Sequence, residues 1–118
     1  MAWQLAAGIT EPETQFPIGG TCFAIKQVTL DHAAKKAWVA CAIWTSKAAK
    51  DAGQPAVFDK ASYTAYFSDT DGADGSLYTP VFGDQPLTVL NNPVAAAAYA
   101  ALPSHPTLAA MLAGAAKA

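Results

Sequence analysis

Thr21-Cys-Phe-Ala-Ile-Lys-Gln-Val-Thr-Leu30 and Ala37-Trp-Val-Ala-Cys-Ala-Ile-Trp-Thr45, separated by the polar Asp31-His-Ala-Ala-Lys-Lys36, decide the fold. In the first stretch Phe23, Ile25, Gln27 and Thr29 fall on one side, and Cys22, Ala24, Lys26, Val28 and Leu30 on the other. In the second, Val39, Cys41 and Ile43 oppose Trp38, Ala40, Ala42 and Trp44. A period of two marks a strand, and the short polar link makes the pair an antiparallel hairpin over residues 21–45. Pairing Val28 with Val39 sets Lys26 opposite Cys41. Cys22 then lies four positions further on, on the order of 13 Å away at about 3.3 Å per residue, beyond the roughly 7 Å that a disulfide spans between Cα atoms. Two free, buried thiols are expected, as suits assembly in a reducing cytoplasm.

Working outward from the hairpin, 47–52 reads as a short helix that Ser46 caps and Gly53 ends, or, being about a turn and a half long, as a turn-rich loop. Alternating aromatics make 62–68 a third strand, and the Asp- and Gly-rich run 69–76 is a loop. Short strands are predicted over 77–82 and 87–90, the first at an edge because it holds Pro80. Asn92 before Pro93 starts a helix over 94–102. A second helix, 107–113, puts Leu108, Met111, Leu112 and Ala115 on one face. Residues 1–20 hold Pro12, Pro17, Gly19 and Gly20 without periodicity, so they read as an extended arm. The expected fold is α+β: a single domain over 21–118 with an antiparallel sheet and Ala-rich C-terminal helices, preceded by the arm.

Composition narrows the function. The chain has 118 residues, 53% hydrophobic and only 14% charged, which suits one folded domain. Its seven basic residues are all Lys, set against nine acidic ones for a net charge of −2. That balance gives no footprint for a phosphate backbone, so no nucleic-acid partner is expected. Residues 85–116 carry no formal charge, but prolines break the stretch, and its longest clean run, 94–102, is about half of the roughly 20 residues a bilayer needs. No membrane partner is expected. The first Lys is Lys26, so the amino end lacks the basic region of an export signal.

The residue chemistry points away from catalysis. Asp69, Asp71 and Asp74 are the dense set of hard oxygen donors, of the kind calcium takes. Ala73 and Asp74 stand where a helix–loop–helix calcium site needs its third acid and its glycine, so the loop reads as a solvated turn. A small ligand- or cation-binding module using it is an alternative function. Cys41 sits mid-strand among apolar neighbours, an inert packing thiol, and His105 has no metal partner nearby in sequence. The phosphate-cradling, nucleophile-elbow and zinc-protease motifs are lacking, so a non-enzymatic protein without cofactor is expected. The arm is either a frayed terminus or a segment that packs on a neighbouring subunit, which Trp3, Leu5, Ile9, Phe16 and Ile18 would make worthwhile. Trp38 and Trp44 share a strand face that either fills a core under the terminal helices or serves as an aromatic contact surface.

Three segments together resemble a known group: Ala37-Trp-Val-Ala-Cys-Ala-Ile-Trp44, Ser46-Lys-Ala-Ala-Lys-Asp-Ala-Gly-Gln-Pro55, and Asn92-Pro-Val-Ala-Ala-Ala-Ala-Tyr-Ala-Ala-Leu-Pro103. Their order is similar to small structural proteins encoded among the tail and baseplate genes of tailed bacteriophages, over roughly residues 23–102, with Lys50 standing where that segment usually has Arg. The resemblance implies a multicopy virion component, assembled in the host cytoplasm and held by contacts with its own copies and other virion proteins. A capsid decoration or head-fibre protein is the alternative within that class.

Overall fold

The computed structural model describes residues 2–72, 75–83 and 93–118. Five antiparallel strands form one sheet in the order β4-β3-β2-β1-β5, and the fold is α+β. In chain order the elements are β1 (Ala2–Gln4), β2 (Cys22–Asp31), β3 (Lys36–Trp44), α1 (Lys47–Asp51), β4 (Thr64–Ser68), α2 (Tyr78–Phe82), α3 (Pro93–Ala101) and β5 (Ala116–Lys117). One-turn 3-10 helices precede β4 at Ala61–Tyr63 and follow α3 at Leu102–Ser104.

The β2–β3 hairpin runs from Cys22 opposite Trp44 to Asp31 opposite Lys36, with Val28 opposite Val39 as expected. Its turn is made by Asp31, whose Oδ1 accepts the Ala34 N–H at 3.0 Å, and by Lys35 in the left-handed region at φ 56°. The register is not uniform. Ile25, not Lys26, faces Cys41, because the ladder shifts between Ile25 and Gln27 and Lys26 is left over as a bulge. One extra residue reverses the side-chain alternation. Phe23 and Ile25 therefore share the core side with Val28 and Leu30, which strict alternation places on opposite faces. Cys22 and Cys41 are both free and buried, as expected.

Residues 2–20 correct the expectation of an arm. β1 pairs with β2, Trp3 against Phe23, and β5 pairs with β1 on its other side. Trp3, Leu5 and Ile18 are buried in the chain's own core. The segment turns back at a bridge between Thr10 and Pro17, and Gly19 allows the close return: a Cβ there would lie 2.7 Å from the Ala6 carbonyl oxygen. The physical reason is that Trp3 finds its apolar surroundings within the same chain, stacked on Tyr99 at 4.2 Å and 5.9 Å from Phe23. Tyr99 ties the element down a second time, donating its hydroxyl hydrogen to the Ala2 carbonyl at 2.7 Å.

The core lies on one side of the sheet, where Tyr63, Phe67, Tyr78, Phe82, Leu102 and Leu108 join the hairpin residues. Two further expectations change. Residues 77–82, expected as a strand, form the single turn of α2, with Pro80 in the first turn where a missing N–H costs nothing. Residues 107–113 form successive turns in place of a second helix, opened by Leu108 and Ala109 N–H groups that both donate to the His105 carbonyl. Leu108, Met111 and Leu112 nonetheless point into the core together. The strand expected over 87–90 and the Asn92 cap lie outside the described residues. The helix expected over 94–102 is present as α3.

Candidate interaction surface

The side of the sheet opposite the core divides in two. Over one half, Ala2, Cys22 and Ala24 make a small buried cluster with Trp44 packed against it. Trp44 is fixed by its indole N–H, which donates to the Gln54 carbonyl at 2.9 Å. The chain after β3 returns beside the same strand, with Val57 N–H on the Ile43 carbonyl at 2.7 Å and Ile43 N–H on the Phe58 carbonyl at 2.8 Å. Within that return, Ser46 Oγ accepts the Ala49 N–H at 3.1 Å and starts α1.

The other half is open. Trp38 of β3 stands between Thr29 of β2 and Tyr66 of β4, and Ala40 between Gln27 and Thr64. Trp38 is 38% exposed, and its ring lies 5.5 Å from that of Tyr66 at an interplanar angle of 38°. Tyr66 donates its hydroxyl hydrogen to Asp71 Oδ2 at 3.3 Å, and Lys36 lies 3.9 Å from the same oxygen. An aromatic pair is thus held on a rigid, twisted platform with polar groups around it, the composition of a contact surface.

A second exposed apolar group lies near the other end of β3. Phe16 is 61% exposed and Val57 is also exposed, with Phe16 6.5 Å from Phe58. Its base is a buried carboxylate. Glu11 Oε2 accepts the Thr14 N–H at 2.5 Å, the Thr14 hydroxyl at 2.7 Å and the Glu13 N–H at 2.9 Å. Its Oε1 accepts from the Tyr63 hydroxyl at 2.8 Å and from Lys60 Nζ at 3.3 Å, and Lys60 also reaches Glu13 at 3.2 Å. Burial alone would raise the Glu11 carboxyl, but the bonds from Thr14, Tyr63 and Lys60 together outweigh it and hold its pKa at about 2. The same burial, with Glu11 beside it, pushes the Tyr63 hydroxyl well above its usual range.

The structure thus separates the residues singled out from sequence. Trp3, Leu5 and Ile18 are core, Ile9 and Trp44 are half-buried, and Phe16 and Trp38 reach solvent. Glu11, Lys60 and Tyr63 were missed, being up to 52 positions apart in the chain. The signal that could have pointed to Glu11 is local: an acid directly before Pro12 with Thr14 three positions on, the grammar of a capped turn.

Asp69 and Asp71 are engaged within the protein. Asp69 Oδ1 accepts the Thr79 N–H at 2.8 Å and Oδ2 accepts the Thr79 hydroxyl, so this carboxylate caps α2. Those bonds hold its pKa below the usual range. Asp74 lies outside the described residues, and among the described residues no three His, Cys, Asp or Glu gather as a metal would need. Burial pushes the Cys41 thiol up to about 12 and also raises Cys22, which keeps both protonated at neutral pH. His32 Nδ1 meets the Tyr78 hydroxyl, and His105 is buried against Phe67. Among the described residues no helix is long and apolar enough to cross a membrane. In comparisons with protein-family models, curated proteins and solved structures, the chain matches none.

Proposed function

We propose that this chain is a non-enzymatic structural subunit of a tailed-phage virion, of the tail or baseplate kind, and that it works by contact through the open half of its sheet. The observation that carries the contact reading is Trp38, exposed beside Tyr66 on a rigid β-surface whose other half is covered. Large aromatic side chains on ordered backbone suit recognition because few rotatable bonds are frozen on binding. The virion class is supported by the resemblance of residues 37–55 and 92–103. The partners are other copies of the chain and other virion proteins.

Light scattering in reducing buffer at several concentrations tests this reading. A defined oligomer is expected for the native chain, and a smaller species for Trp38→Ser that keeps the far-ultraviolet dichroism of the folded chain. A Trp38→Ser chain that keeps the native mass refutes Trp38 as the contact. Immunolabelling of virions separates tail from head.

A further inference from the structure

We propose that His105 is an acid-sensitive clamp on the C-terminal strap, residues 102–115, which stays closed against β4 while the ring is neutral and opens when it takes a second proton. The ring is 3% exposed and is used at both nitrogens. Thr107 donates its backbone N–H to Nδ1 at 3.1 Å, and Nε2 lies 2.8 Å from the Tyr66 carbonyl oxygen. A carbonyl oxygen only accepts, so Nε2 carries the hydrogen and Nδ1 is bare, which defines the neutral ring in one tautomer. A second proton has to land on Nδ1, where it meets the Thr107 N–H donor to donor. The backbone N–H then loses its acceptor inside the fold and the new charge is buried away from water, a cost that the Phe67 ring, its centroid 4.9 Å away, offsets only in part.

The described residues around the ring offer no counter-charge. Tyr66 donates its hydroxyl hydrogen to Asp71, Asp69 is held by Thr79, and Tyr78 meets His32. Among the described residues no carboxylate lies within ion-pairing distance of the ring. What the clamp holds is specific. Leu108 and Ala109 donate their N–H groups to the His105 carbonyl, placing Leu108, Met111 and Leu112 in the core. β4 is the outermost strand on its side of the sheet, and the clamp occupies one of its carbonyls. Opening therefore frees a strand edge and uncovers apolar side chains together, the two features through which chains pair.

Native-state amide exchange from about pH 7 to about pH 5, corrected for its intrinsic pH dependence, tests the clamp, because the chain holds only two histidines. The amides of Thr107 and Leu112 should lose protection by up to about tenfold per pH unit, the limit for one linked proton, while those of β2 and β3 keep theirs. His105→Gln, which retains a donor and an acceptor without a site that titrates here, should abolish the dependence, and His32→Gln should retain it. The proposal is overturned by a native strap that stays protected to acid pH, by a His105→Gln strap that opens as the native one does, or by hairpin amides that fail along with the strap. Should His105→Gln not fold, the ring nitrogen shifts of the native chain decide. Hydrogen on Nε2 at neutral pH, with protonation tracking the loss of protection, supports the clamp; hydrogen on Nδ1 overturns it.

Discussion

Replacing Trp3 by Ala and, separately, Trp38 by Ala tests whether the first strand belongs to the core. The two residues are the same type, yet Trp3 is 1% exposed and touches Phe23 and Tyr99, while Trp38 is 38% exposed with Tyr66 as its ring neighbour. Removing a buried indole costs its transfer energy and leaves a cavity, about 3–5 kcal/mol. The stack with Tyr99 accounts for about 0.5–1.5 kcal/mol of that. Against a total of about 5–15 kcal/mol for a domain, Trp3→Ala brings the fold close to failure. Trp38→Ala removes a side chain open to solvent on one side and should cost under about 1 kcal/mol. Urea titration followed by far-ultraviolet dichroism reads the difference. With a slope of about 1.5 kcal/mol per molar urea, Trp3→Ala should shift the midpoint down by about 2 M or more, and Trp38→Ala by less than about 0.7 M. Equal shifts for the two variants would refute the placement of β1 in the core and restore residues 1–20 as an arm.

The Glu11 carboxyl, held at about 2 against an ordinary 4.5, contributes stability that is fully present above its unfolded value. That contribution should disappear as pH falls from about 4.5 toward 2, and thermal midpoints of Glu11→Gln across this window should fall less steeply than those of the native chain, the remaining fall belonging to other lowered carboxyls such as Asp69. Gly75 has φ +88°, and a Cβ there would sit 2.5 Å from the Ser104 carbonyl oxygen. Gly75→Ala should therefore cost more than about 1 kcal/mol in the same urea assay, an unchanged midpoint refuting the close approach. Asp69→Ala should lower the thermal midpoint by uncapping α2, and millimolar calcium should leave the native midpoint unmoved; a calcium-dependent rise would return Asp69 to the role of a ligand.

What was legible in the sequence is the part governed by simple periods. The hairpin could be read because a strand half-buried on one side must alternate, and α3 because Asn92-Pro93 announces a helix start. The bulge was not read, although Lys26 and Gln27 are adjacent polar residues between apolar ones, a break in alternation that a strict period of two absorbs without complaint. Residues 77–82 were misread because a five-residue turn of helix leaves almost no periodic trace, and the carboxylate that caps it lies ten positions upstream. β5 has two residues and no signal of its own; its pairing depends on β1 already being in place. The surface was legible by residue type and not by location. Trp3, Phe16 and Trp38 are equally good interface candidates on composition, and only the tertiary path sends one inward and two outward.

The open half of the sheet follows from how this chain distributes its bulk. Half of its twelve aromatic side chains, Trp3, Phe23, Tyr63, Phe67, Tyr78 and Phe82, are fully buried on the core side. On the opposite side Ala2, Ala24 and Ala42 are so small that one indole, Trp44, and a short return of chain suffice to cover them. Beyond that cover, Gln27, Thr29 and Thr64 supply the polar side chains that a solvated sheet face needs. A threonine or a serine at position 38 would complete such a face at no cost to the core, since the residues of that strand facing inward are Ala37, Val39, Cys41 and Ile43. Folding uses the indole at 38 only for its cross-strand ring contact with Tyr66. The contact role proposed above supplies a further reason for it.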